Sequence, residues 1–288
     1  MVLLPGLYRS YQEGGIKPVV MVSDQFVRML DGCSYIIPEP VRLHWFRDVH
    51  RAAELARQKY GWCLIPKWWD DPLHPVPPPA PGEETIVLEY RRQVMEVPAS
   101  QWRSYMLGQW VGAGFATEEL GKWPLVFDRR DKEREQQLIL QIIGKNPKPV
   151  ILYNLKGQTS PLPSDDDVLR ELFRLRGHYK LVDISEIKAH RIYDLLGLYE
   201  LAELLFTADT STLHLANACQ IKTVAFIANG GAGSIPVGNI IYHCRYEAVK
   251  KSLFMIASIV DGLIEQAPKK IEKPRKWDRV QTMPAYQL

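Results

Sequence analysis

Short apolar runs alternate with amphipathic segments along the whole chain. In the first half, strands are predicted where a short run is rich in β-branched or apolar residues: 18–22, 34–37 and 62–65. Helices are predicted where apolar residues recur every three or four positions: 7–13, 25–30 and 46–60. Strands that alternate with helices are typical of a parallel sheet with crossover helices.

The same alternation restarts after the segment 144–149 (GKNPKP), whose glycine and two prolines are a strong stop signal for a helix. Four strands are predicted beyond it: 150–154, 179–184, 223–227 and 239–242. Helices are predicted around them: 129–143, 165–175, 193–205, one that opens near residue 211, and 248–266. We therefore expect an α/β chain of two Rossmann-like domains, 1–145 and 146–267, followed by a polar, basic tail over 268–288.

A proline-rich segment interrupts the first of these domains. Six prolines lie between residues 70 and 81, a composition that favours a stiff, extended conformation. A surface excursion or linker is the simpler interpretation. A lid or docking loop is the alternative, because Trp68 and Trp69 lie at its root.

Composition limits the classes of function. The 288 residues are 46% hydrophobic and 24% charged, which excludes disorder as the main state. A net charge of +3 is too small to indicate a nucleic-acid partner. The N-terminus lacks the pattern of a signal peptide, and glycines and a proline interrupt the longest stretch without charged residues, 223–244. A soluble, cytoplasmic protein is expected.

The segment 207–216 (TADTSTLHLA) carries the strongest chemical signal. Asp209, Thr210, Ser211 and Thr212 stand where a helix begins, so several backbone N–H groups there lack partners within the helix. Such a turn suits a diphosphate, and His214, one turn further on, can donate to it. The alternative is an ordinary helix cap, by Asp209 or Ser211, and a histidine that belongs to the core.

The segment 209–230 (DTSTLHLANACQIKTVAFIANG) resembles the D-T-G-x-x-H-L-A-x-A-x-x-x-P-T-V-x-x-F-G signature of the ADP-heptose:lipopolysaccharide heptosyltransferase family. The preceding segment, 193–208, is similar to the helix that leads into this signature. Ser211 stands where the family has glycine, and Lys222 replaces a proline.

The resemblance implies a GT-B fold, in which two Rossmann-like domains face each other across a cleft and the C-terminal one holds a nucleotide sugar. It also implies an inverting, metal-independent glycosyltransferase that needs no cofactor, with a glycan or another hydroxyl compound as acceptor. Asp209, Thr210 and His214 match the family's Asp, Thr and His, and Gly230 and Gly231 would border the sugar.

The loop that follows 150–154 stands where this family places hydroxyls and a lysine for the diphosphate. Lys156, Thr159 and Ser160 are the candidates. The alternative for Lys156 is a solvated lysine in a turn.

Three consecutive acids, 165–167, superficially match the D-x-D motif of metal-dependent glycosyltransferases. We instead expect Ser164 and Asp167 to form a capping box at the start of a helix, where acids are favourable. No metal site is predicted.

The family begins with a strand and a Gly-Asp pair whose aspartate is its usual candidate base. Residues 1–5 (MVLLP) resemble the segment just after that pair, so the catalytic residue stays unassigned. Two interpretations are open: an upstream segment supplies the acid, or the chain is a catalytically degenerate module that binds a nucleotide sugar or glycan. A nicotinamide-dependent oxidoreductase is a weaker third possibility, because the fingerprint glycines are missing.

Overall fold

The computed structural model describes residues 4–15, 17–42, 55, 58–59, 110, 115–116, 119, 122–144, 148–157, 162–227 and 240–266. Several sequence predictions lie outside these residues, namely nearly all of the helix 46–60, the strand 62–65, the proline-rich segment 70–81, the tail 268–288, and Thr159, Ser160, Gly230 and Gly231. Within the described residues, no helix is long and apolar enough to cross a membrane.

The chain divides into two compact units. The first includes Met1–Arg130 and Arg191–Tyr193, and the second includes Asp131–His190, Asp194–Ala228 and Asn239–Leu288. The domain boundary expected near residue 145 lies after the helix Lys132–Ile142. The division into compact units instead places this helix in the second unit.

Among the described residues of the first unit, two helices each lead to one of a pair of parallel strands. Helix α1 (Leu4–Gly14) leads to strand β1 (Val19–Ser23), and helix α2 (Val27–Leu30) leads to strand β2 (Ile37–Val41). The predicted strand 34–37 therefore lies too early, because β2 only begins at Ile37. The N–H of Ile37 donates to the carbonyl of Pro18 at 2.9 Å. The N–H groups of successive strand residues point in opposite directions. Positions 38 and 40 therefore face away from β1, and the prolines there remove no hydrogen bond between the two strands.

Buried aromatic rings hold this unit together. The hydroxyl of Tyr35, which is fully buried, donates to the Val126 carbonyl at 2.9 Å. The rings of Phe127 and Tyr193 stack with 5.1 Å between their centroids, and Gly32 packs against both rings.

The second unit is built on a five-stranded parallel sheet. Its strands, in chain order, are β3 (Val150–Asn154), β4 (Lys180–Asp183), β5 (Ala202–Ala208), β6 (Lys222–Ile227) and β7 (Ile240–Arg245). Its helices are α3 (Lys132–Ile142), α4 (Asp165–Phe173), α5 (Leu196–Leu201), α6 (Ser211–Leu215) and α7 (Leu253–Gln266). The strands lie side by side in the order β4-β3-β5-β6-β7.

The central strands are buried on both faces, which explains their nearly continuous apolar sequences. Ile151 and Leu152 of β3, Phe206 of β5 and Val224 of β6 are fully buried. Helices α4 and α7 cover one side of this core, contributing Val168, Leu172, Ile256 and Val260.

Two local predictions are wrong. The helix predicted over 193–205 ends at Leu201, and Ala202 begins strand β5, because the apolar run that follows is buried between β3 and β6. The capping box of Ser164 and Asp167 does not form. Ser164 has a left-handed backbone (φ 74°), and its side chain makes no hydrogen bond to the helix.

Candidate functional site

The order of the strands creates a switch point beside β3. The chain passes from β3 to β4 on one side of it and then crosses to β5 on the other. In open parallel sheets, ligands bind outside the carboxyl ends of the strands at such a point. Asn154 ends β3 and Ala208 ends β5, so the segment that starts at Asp209 emerges at this position.

The turn from β5 to α6 is partly exposed. Asp209 and Thr210 are half-buried, and Ser211 is exposed. Thr210 occupies the N-cap position with an extended backbone, and its carbonyl accepts a hydrogen bond of 3.1 Å from the N–H of Leu213. The N-cap position therefore belongs to Thr210, and not to Asp209 or Ser211 as the ordinary alternative had it.

Helix α6 has five residues and continues into a 3-10 turn, Ala216–Ala218. A helix this short has a small macrodipole. An anion at this turn would therefore be bound through individual N–H and O–H groups rather than through the field of a long helix.

Buried polar side chains on the inner side of the turn form hydrogen bonds that hold it in place. The Oγ1 of Thr212 lies 2.5 Å from the Oγ1 of Thr210 and 2.8 Å from that of Thr207, and it accepts a bond of 3.3 Å from the Nδ2 of Asn154. Asn154, Thr207 and Thr212 are all buried. The hydroxyl of Thr212, which was predicted to bind the ligand, thus has its partners inside the protein, whereas Ser211 is exposed to solvent.

Two tyrosine hydroxyls bond to the main chain of the same segment. Tyr199, fully buried at the end of α5, donates to the Thr212 carbonyl at 3.2 Å. Tyr246, which follows β7, accepts a bond of 3.4 Å from the N–H of Asp209. Burial raises the pKa of Tyr199 above its ordinary value and that of Tyr246 to about 12, so both phenols are neutral at physiological pH.

His214 lies one turn into α6 and is partly exposed. Burial lowers the pKa of its imidazole to about 4, because desolvation disfavours the charged form. At pH 7 the ring is therefore neutral. It can donate one hydrogen bond without bringing a positive charge.

Lys156 lies at the other side of the switch point, two residues after β3. Its backbone N–H donates to the Oδ1 of Asn154 at 3.2 Å, which ties the loop to the buried network. Its exposed ammonium forms a 2.8 Å ion pair with Glu186, which follows β4. Their hydrogen bond raises the pKa of Lys156 and lowers that of Glu186.

The acidic run at the start of α4 is accounted for by local contacts. The Oδ1 of Asp165 accepts a bond of 2.9 Å from the N–H of Asp166, and Asp167 pairs with Arg170 at 3.2 Å. Across the described part of the chain, no group of three or more His, Cys, Asp or Glu side chains is placed to hold a metal ion.

Sequence reasoning missed four residues of this arrangement: Asn154, Thr207, Tyr199 and Tyr246. A usable signal existed for the first two, since each is a polar residue at the end of an otherwise apolar strand. The two tyrosines carried no such signal, because only the folded positions of α5 and of the segment after β7 bring them to the turn.

Comparison with known proteins identifies the fold. The chain matches no protein-family model and no curated protein sequence. It is similar to the structure of Escherichia coli ADP-heptose LPS heptosyltransferase II, with a TM-score of 0.51 and 11% identity over 91% of this chain and 96% of that one. It is also similar to a family 9 glycosyl transferase from Veillonella parvula, with a TM-score of 0.52 and 10% identity over 92% of this chain and 91% of that one.

These likenesses confirm the predicted resemblance at the level of the fold. The chain has the α/β architecture of the heptosyltransferase-like proteins, with parallel sheets of the GT-B type.

Proposed function

We propose that this protein is a glycosyltransferase that moves a sugar from a nucleotide-diphosphate donor to an acceptor hydroxyl. The turn of Asp209, Thr210 and Ser211, with His214, would hold the donor. One observation carries the proposal: this turn emerges at the switch point of the sheet, in a fold shared with two glycosyltransferase structures.

The groups at the turn suit different parts of such a donor. The backbone N–H groups at the start of α6, the exposed Ser211 hydroxyl and the neutral His214 ring are donors for diphosphate oxygens. The Asp209 carboxylate would repel a phosphate, so we assign it to the hydroxyls of the sugar. Thr212 supports the turn from inside the protein, as its buried contacts indicate.

Lys156 and the acid beside it extend the site along the sheet. Lys156 would exchange part of its contact with Glu186 for the diphosphate. In doubly wound sheets, an acid at the end of the neighbouring strand binds ribose hydroxyls. Glu186, in the 3-10 turn just after β4, would take this role here. Thr159, Ser160, Gly230 and Gly231 remain predicted ligands that lie outside the described residues.

The reaction would be a single displacement at the anomeric carbon. The acceptor oxygen attacks the face opposite the diphosphate, forming the new C–O bond as the bond to the leaving phosphate breaks, and the configuration inverts. The hydroxyl proton passes to a base that is not assigned in this chain. Hydrogen-bond donors and Lys156, rather than a metal ion, would stabilise the charge on the leaving group. One preorganised donor of this kind is worth about 3–4 kcal/mol in kcat.

The test is calorimetric titration of the full chain with ADP, UDP, GDP and the sugars linked to them, followed by an assay of transfer. We expect one nucleotide series to bind, and Asp209→Ala and His214→Ala each to weaken donor binding or turnover at least tenfold, which is about 1.4 kcal/mol. Asp166→Ala, at an exposed aspartate of α4, is the matched control.

Unchanged donor affinity together with unchanged turnover in both site variants would refute the assignment of the site. Binding of a nucleotide sugar without transfer or hydrolysis would instead favour a binding module that has lost catalysis.

A further inference from the structure

The beginning of helix α7 exposes an unusual amount of apolar surface. Phe254 is 68% exposed and Met255 is 39% exposed, and Phe254 has the highest exposed fraction among the large hydrophobic residues of the described chain. Single exposed apolar residues are ordinary on protein surfaces. Two adjacent exposed apolar residues at the start of a helix, one of them about two-thirds exposed, need a further explanation.

Two lysines lie directly before this apolar pair. Lys250 and Lys251 belong to the 3-10 turn that leads into α7, and both are exposed. They precede Phe254 by four and three residues, so both lie within about one helical turn of it. Neither lysine forms an ion pair with any residue that the structure describes.

The other end of the same helix has the opposite character. Asp261 and Glu265 are exposed in the second half of α7, and Asp261 forms an ion pair with Arg174 of the neighbouring 3-10 turn. The exposed side of α7 is thus apolar at its start, directly after the two lysines, and acidic towards its end.

The basic and apolar end lies on the same edge of the sheet as the candidate site. The chain leaves β7 at Arg245, and the next residue, Tyr246, accepts the hydrogen bond from Asp209. The 3-10 turn of Lys250 and the start of α7 follow within a few residues.

We propose that Lys250, Lys251, Phe254 and Met255 form a docking patch for the surface of an anionic lipid bilayer. The phenylalanine ring and the methionine would enter the interface between headgroups and acyl chains, and the lysines would contact lipid phosphates. Four side chains are far too few for a stable protein interface, which buries roughly 800 Å² on each partner. Reversible binding to a charged membrane needs only this combination of a few apolar and basic groups.

Membrane binding by this patch goes beyond the proposed function. Lipid binding and donor binding are measured in separate experiments, so either proposal can fail without the other. The experiment is co-sedimentation of the full chain with vesicles of phosphatidylcholine alone, and of phosphatidylcholine with about one third phosphatidylglycerol, at low salt and at high salt. We expect binding to the anionic vesicles, loss of most of it at high salt, and little binding to the neutral ones.

Two double variants test the residues. Each lysine near an anionic surface contributes roughly a fivefold factor in partitioning, so Lys250→Gln with Lys251→Gln should weaken it about 25-fold. Phe254→Ser with Met255→Ser should weaken it at least tenfold. The matched controls, Leu140→Ser at an exposed leucine of α3 and Lys222→Gln at an exposed lysine of β6, should bind like the unaltered protein.

Thermal melting of every variant establishes that it is folded. Equal binding of the patch variants and the controls would overturn the proposal, and so would equal binding to neutral and anionic vesicles. A dimer of the unaltered protein that Phe254→Ser dissociates, without lipid binding by either, would assign the surface to a second copy of the chain and also overturn it.

Discussion

The neutral imidazole of His214 gives a stability prediction that follows directly from the structure. Burial lowers its pKa to about 4, compared with 6.5 for the unfolded chain. The folded state therefore binds the proton more weakly than the unfolded state does. The contribution of this group to the free energy of unfolding is fully present above pH 6.5 and is lost as the pH falls towards 4.

The size of the effect follows from the same difference. A pKa lowered from 6.5 to about 4 corresponds to roughly 3 kcal/mol, most of which would be lost by pH 4.5. Part of the ring is exposed, so water reduces this value, and we expect a loss of about 1–2 kcal/mol.

The assay compares urea denaturation of the protein and of His214→Gln at pH 7.5 and pH 4.5. Other titrating groups are shared by the two proteins and cancel in the difference. We expect the free energy of unfolding of the unaltered protein, relative to that of His214→Gln, to fall by about 1–2 kcal/mol at the lower pH. His243→Gln, at an exposed histidine of β7, is the control substitution. Parallel pH dependence of the protein and His214→Gln would refute a neutral, buried imidazole.

Two further substitutions test the packing. Thr212→Val removes a buried hydroxyl that contacts three polar side chains and should cost about 1–3 kcal/mol by urea denaturation, more than Thr223→Val, whose buried hydroxyl has a backbone hydrogen bond of 3.3 Å. Gly32→Ala would bring a Cβ within 2.8 Å of the Tyr193 ring and should lower stability by about 1–3 kcal/mol. Gly177→Ala, where no atom lies within 4 Å, should be nearly neutral, and equal stability of the two glycine variants would contradict this account.

Much of the second unit could be predicted because burial there determines the local sequence. Strands β3 and β6 are short apolar runs bounded by polar residues, and both were predicted within one residue. Strand β5 was mistaken for helix, because a run that is buried on both faces lacks the alternation that separates strands from helices. Its pairing with β3 and β6 decides its conformation, and a contact distant in sequence leaves no local periodicity.

The candidate site was likewise only partly predictable from the sequence. The polar turn at Asp209 and the histidine that follows were visible because they interrupt an apolar pattern. The support of that turn was invisible, since Asn154 ends β3 and Tyr246 follows β7, two strands that lie before and after β5 in the chain. Only the order of the strands makes them neighbours of the turn.

The charges of the described site indicate how it would recognise a ligand. His214 and Tyr246 are neutral at physiological pH, the charge of Lys156 is balanced by Glu186, and Asp209 is an acid. This part of the site would therefore attract a doubly charged diphosphate only weakly from a distance. Its advantage is a turn held in place by buried hydroxyls on one side and a tyrosine on the other, so that its donors need little reorganisation. Because fixed dipoles act at short range, such a site selects a ligand by the positions of its oxygens more than by its net charge.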